Sequence, residues 1–73
     1  MVKKWLYSGA PVQVRRLGET SGWRVNRRHL RQRSEGAKGE VVGPAFGNSG
    51  LVMLVEHPNG AVGAYHVDEL APA

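Results

Sequence analysis

Leu51-Val52-Met53-Leu54-Val55-Glu56-His57-Pro58-Asn59-Gly60-Ala61-Val62-Gly63-Ala64-Tyr65-His66-Val67 is the stretch that decides the fold. Its first five residues are a continuous apolar run, which only a strand buried on both faces requires, so residues 51–55 are the expected core strand. His57-Pro58-Asn59-Gly60 ends the run in a tight turn, because proline presets φ at the first corner while Asn59 and Gly60 accept left-handed backbone. His57 reads as a turn residue. The returning arm, residues 61–67, places Gly63, Tyr65 and Val67 on one face and Val62, Ala64 and His66 on the other. Asp68-Glu69-Leu70 then turns the chain into a short last strand.

Upstream, Glu40-Val41-Val42 reads as a short strand ended by Gly43-Pro44. The glycine-rich residues 43–50 lack the lysine and following helix of a phosphate cradle, so they read as a loop with Phe46 as an exposed contact. Pro11-Val12-Gln13-Val14-Arg15-Arg16-Leu17 alternates Val12 and Val14 against Gln13 and Arg15, the pattern of a half-buried first strand. Gly18-Glu19-Thr20-Ser21-Gly22 is a loop, and Ser34-Glu35-Gly36-Ala37-Lys38-Gly39 a flexible joint. Residues 24–33 hold five arginines with only Val25 and Leu30 apolar. A helix there lacks a stripe wide enough to be held by packing, although Asn26 could cap a short one.

Short strands at close spacing within 73 residues predict an all-β domain of about five strands closing a small barrel. Residues 1–38 supply a basic arm, the first strand and a long loop, and residues 39–73 the main hairpins. A chain this short buries only about 60% of the surface its unfolded form exposes. With no cysteine, neither disulfides nor thiolate zinc sites can add stability, so oligomerisation or an unusually tight barrel must supply it, and a homo-oligomer or a subunit of a complex is the expected state. No run approaches the roughly 18 apolar residues of a membrane span, and the opening seven residues are too short for a secretory core. The expected location is cytoplasmic, with no membrane partner.

The net charge of +4 hides a strong asymmetry. All ten Lys and Arg residues lie between Lys3 and Lys38, where only Glu19 and Glu35 oppose them, giving +8; the remainder carries four acids and is −4. Such a split points to an anionic partner, nucleic acid or an acidic protein surface, and equally lets the basic half of one subunit pack on the acidic half of another; composition leaves both readings open. The candidate contact residues are Trp23, Arg24, Arg27, Arg28, Arg31 and Arg33, since guanidinium groups pair with phosphates and an indole stacks on an unpaired base. A solvated arginine-rich loop around one core tryptophan gives the same pattern, and both readings stay open. His29, His57 and His66 match no metal-ligand spacing, and no serine sits in a nucleophile elbow, so neither a metal nor a catalytic residue is assigned.

His57-Pro58 followed by Gly60-x-Val62-x-x-Tyr65-x-Val67-x-x-Leu70 resembles the end of the plasmid-borne type II dihydrofolate reductases, which are SH3-like barrels. Arg31-x-x-Ser34 and Gly39-x-Val41-Val42-Gly43 extend the resemblance backwards, so that it covers residues 30–70. It implies an SH3-like barrel. It also implies, as an alternative function, a tetrameric protein binding NADPH in a central pore, with Gln32, Gly63, Ala64 and Tyr65 at the cofactor-binding positions. The family's pore segment reads Val-Gln-Ile-Tyr where this chain has Val62-Gly63-Ala64-Tyr65, and Gln32 stands where the family has lysine. Only Tyr65 is retained, whereas such a pore works by positioning its ligands. The expectation is therefore a non-enzymatic module without cofactor. The Asp68-Glu69-Leu70 turn also resembles the ending of small SH3-like subunits such as the ferredoxin-thioredoxin reductase variable chain, which implies, as a second alternative, a structural subunit of a larger complex.

Overall fold

A computed structural model describes residues 4–73, so the first three residues of the basic arm lie outside the description. The elements are β1 (Pro11–Val14), α1 (Arg27–Arg31), β2 (Lys38–Pro44), β3 (Val52–Glu56), β4 (Val62–His66), a 3-10 turn (Val67–Glu69) and β5 (Leu70–Pro72). The strands form one antiparallel sheet in the order β4-β3-β2-β1-β5, so the all-β expectation holds. No ladder joins β4 to β5, and the sheet is open between them. It is nevertheless strongly curled. Lying flat, four inter-strand gaps of about 4.8 Å would hold β4 and β5 about 19 Å apart. The four residue steps from His66 to Leu70 span at most about 14 Å.

The apolar run behaves as its composition requires, one residue later than expected. Leu51 stays outside β3 and is exposed. Met53 and Val55 enter the main core with Val12, Val14, Val41, Tyr65, Val67 and Leu70. Val52 points the other way and joins Ala45 and Ala64 in a second cluster, covered by Trp23, Val25 and Leu54. The long segment between β1 and β2 therefore closes the outer face of the sheet, and this is why β3 is apolar on both sides.

Three local expectations change. β2 begins at Lys38, inside the expected joint, and runs on through Gly43-Pro44 with a register shift between Val41 and Gly43 instead of stopping at Val42. Gly39 is needed there, since a Cβ would stand 2.6 Å from the Glu56 carbonyl oxygen. The arginine-rich segment does contain a helix, the single turn α1. It has no buried residue, so packing does not hold it. Asn26 Oδ1 accepts from the Arg28 N–H at 3.0 Å, and His29 Nδ1 meets the Val62 carbonyl at 2.9 Å, tying α1 to β4. Polar contacts at its cap and flank thus replace the missing stripe. Among the described residues, no helix is long and apolar enough to cross a membrane.

Candidate functional site

Arg33 and Glu69 organise the interior of the molecule. Arg33 Nη1 donates to Glu69 Oε1 and Nη2 to Oε2, both at 2.7 Å, a planar two-bond match that guanidinium and carboxylate geometry favours. Nη1 also donates to the Ala64 carbonyl at 2.8 Å and Nη2 to that of Gly18 at 3.1 Å. Glu69 also accepts the backbone N–H groups of Gly18 and His66. Burial pushes its carboxyl up, but the Arg33 hydrogen bond and these donors outweigh burial and leave it below the ordinary value. The guanidinium lies 4.8 Å from the Trp23 ring centroid and 5.4 Å from that of Tyr65. Of the six residues expected to meet a polyanion, Arg33 is thus the one whose charge is committed inside, with a side chain only 6% exposed.

Tyr65 is wholly buried. Its hydroxyl accepts from the Ser34 N–H at 2.8 Å, approaches the Gln32 carbonyl at 3.3 Å and meets His57 Nε2 at 2.7 Å. His57 Nδ1 faces the Lys38 carbonyl at 2.8 Å; a carbonyl only accepts, so in the neutral ring Nδ1 carries the proton and Nε2 accepts from Tyr65. His57 is thus a turn residue and also a buried bridge between the turn and β2, a role its place before Pro58 does not reveal. Burial raises the Tyr65 pKa, with Ser34 and Arg33 opposing and Glu69 adding to the rise.

Gly63 serves this arrangement. A Cβ there would lie 2.9 Å from both Cε2 and the hydroxyl of Tyr65. Of the positions expected to hold NADPH, Gly63, Ala64 and Tyr65 are buried within the single chain, and Gln32 is exposed.

The exposed basic surface is built separately. Arg24, Arg27, Arg28 and Arg31 are exposed. Among the described residues, Arg33 is the only arginine paired with a carboxylate. Asn48 fixes the start of this surface: its Oδ1 accepts from the Arg24 N–H at 2.7 Å, and its Nδ2 donates to the Arg24 carbonyl at 3.1 Å. The same Nδ2 reaches the carbonyls of Ala45 and Phe46, so one amide holds the arginine segment to the β2–β3 loop. Arg24 lies along Gly47, where a Cβ would stand 3.4 Å from its Cδ. Next to that glycine, Phe46 is 91% exposed.

The other arginines spread around α1. Arg28 borders a hollow with His29, Gln32 and Val62, while Arg31 borders another with Lys38, Ser34 and His57. The structure therefore brings the backbones of Arg24 and Phe46 together beside Trp23 at the β2–β3 loop, whereas Arg27 is exposed on α1 and Arg28 and Arg31 stand toward the β3–β4 turn, at the other end of β4, as a separate basic rim. Lys38 and Asn48 were not singled out in the sequence, because a lone lysine in a joint and an asparagine in a glycine-rich loop carry no local signal. Among the described residues, no three His, Asp or Glu side chains come together as metal ligands would. No protein-family model matches this sequence, and neither the curated proteins nor the solved structures contain a significant match to it.

Proposed function

We propose that this protein is a non-enzymatic binding module, an SH3-like barrel whose arginine-rich segment holds single-stranded nucleic acid. The observation that carries this reading is the clamp made by Asn48, which fixes the backbone of Arg24 beside that of the exposed Phe46. A single strand offers phosphates to guanidinium groups and unstacked bases to an aromatic face. An acidic protein surface would also satisfy the arginines and is the competing occupant of the same face. The SH3-like description is supported by the strand order, by the long β1–β2 connection folded back over the sheet, and by the 3-10 turn that carries the chain from β4 to the opposite edge beside β1.

The test is the affinity for a labelled twelve-nucleotide oligothymidylate as a function of salt. Engagement of about four phosphates by Arg24, Arg27, Arg28 and Arg31 gives a log–log slope near −3, or roughly a 50-fold loss between 50 and 200 mM salt. Affinity that does not change over that range, or no binding at 50 mM, overturns the proposal. Polyglutamate of equal charge is expected to compete poorly; competition as strong as that of unlabelled oligonucleotide would assign the surface to an acidic protein instead.

A further inference from the structure

The segment at residues 18–22, the β2–β3 loop and the end of β4 enclose a notch of about 300 Å³, bordered by Ser21, Trp23, Asn48, Ser49, Leu51 and His66. That volume lies at the small end of ligand clefts and suits one ring system better than a longer ligand. Trp23 and His66 form its aromatic wall, with ring centroids 6.4 Å apart and planes inclined by 31°. Arg33 covers part of the indole from within, which fixes the ring while the rest of it borders the notch.

Two further groups are open to a ligand. His66 Nδ1 accepts the Asp68 N–H at 3.1 Å and stands 3.6 Å from Asp68 Oδ2; with Nδ1 accepting, the proton of the neutral ring is on Nε2, a donor with no protein partner among the described residues on a side chain 30% exposed. Ser49 has φ +56° and is, among the described residues, the only one other than glycine with positive φ. Its hydroxyl makes no hydrogen bond there either. A serine held where glycine is preferred, between Asn48 and Gly50, is a strained position of the kind that collects at binding sites.

We infer that this notch takes one unpaired nucleobase, stacked on the Trp23–His66 wall with His66 Nε2–H and the Ser49 hydroxyl facing its polar edge; the inference rests on the single-strand reading above. The base enters beside Arg24, whose backbone is locked to Asn48, so the flanking phosphate meets that guanidinium. The notch thereby reads a base where the rim arginines read only charge. A free nucleotide presents the same ring and is the other source of this chemistry.

The experiment compares oligothymidylate with an abasic strand of equal length, and adds thymidine monophosphate as a third ligand, with tryptophan fluorescence as the readout. The base-bearing strand is expected to quench the indole and to bind about 100-fold more tightly than the abasic one, about tenfold from the notch and about tenfold from stacking on Phe46. His66→Asn keeps an N-cap acceptor for the Asp68 N–H but removes the ring, and should reduce that ratio to about tenfold. Ser49→Gly relieves the backbone, so it folds at least as well as the parent, and should also lower the ratio. Equal affinity for the two strands overturns the notch and leaves phosphate binding standing. Quenching by the mononucleotide, abolished in His66→Asn, with no binding of either strand upholds the notch and overturns the single-strand reading. No response to any ligand overturns both.

Discussion

Arg33 and Glu69, on the long β1–β2 connection and in the 3-10 turn, share two parallel hydrogen bonds of 2.7 Å with side chains 6% and 8% exposed. Removing one partner leaves the other charged and buried, which costs more than the pair contributes. Glu69→Gln is expected to destabilise the fold by about 3 kcal/mol in urea denaturation. The double replacement Arg33→Met with Glu69→Leu should lose less than Glu69→Gln alone. A double variant as unstable as the single one would show that the pair's geometry, and not the uncompensated charge, dominates.

Acid should weaken the protein through the same carboxylate. The folded-state pKa of Glu69 lies below the ordinary 4.5, so its contribution is present above that value and is lost as pH falls through the folded pKa. Tyr65 acts at the other extreme: its folded pKa is raised above 10.0, so its contribution is present below pH 10.0 and is lost as pH rises further. Unfolding free energy measured from pH 7 down to pH 3 should decline more steeply in the parent than in Glu69→Gln. Parallel profiles would remove Glu69 as the source.

The two crowded glycines should be intolerant of a methyl group. Gly39→Ala drives Cβ against the backbone oxygen of Glu56, and Gly63→Ala against the Tyr65 ring. Each is expected to cost about 1–3 kcal/mol by thermal or urea unfolding. Gly43 offers a comparison within the same β2 strand, since the nearest atom to a Cβ there is Ser8 Oγ at 3.9 Å. A Gly43→Ala variant as damaged as Gly39→Ala would refute the steric account.

Phe46 and Asn48 should separate binding from folding. Phe46→Ala removes a ring that packs on little, so stability should move by less than about 0.5 kcal/mol while oligothymidylate affinity falls about tenfold. Asn48→Ala breaks the clamp on Arg24 and should lose about 1–2 kcal/mol of stability as well as affinity. Unchanged affinity in Phe46→Ala would remove the aromatic contact from the proposed surface.

The sheet was legible because its signals are local. Alternation exposed β1, the His57-Pro58-Asn59-Gly60 turn marked the hairpin, and the unbroken run at 51–55 announced a strand with two buried faces. What covered the second face was not legible. Trp23 and Val25 lie in a segment whose composition speaks of solvent, and their role depends on a connection that folds back by long-range pairing of Arg33 with Glu69. The six-residue contact set mixed two kinds of arginine for the same reason. In sequence Arg33 is one basic residue among neighbours, and only its partner 36 positions away distinguishes it. Helix α1 was disfavoured for want of an apolar stripe although its Asn26 cap was legible; what the sequence did not show was the His29–Val62 contact that ties the turn to β4.

The covered face of β3 has a cost in solution behaviour. Residues 51–55 are five apolar residues without a charge or proline, the composition from which intermolecular β-stacks grow. In the folded chain the outer side of that strand is shielded by the connection that Arg33 pins to Glu69. Detaching that connection would uncover Val52 and Leu54 while the strands remain paired, producing a species that is still folded but prone to self-association. A contact that stabilises one chain therefore also keeps neighbouring chains apart, and loss of solubility can precede loss of structure.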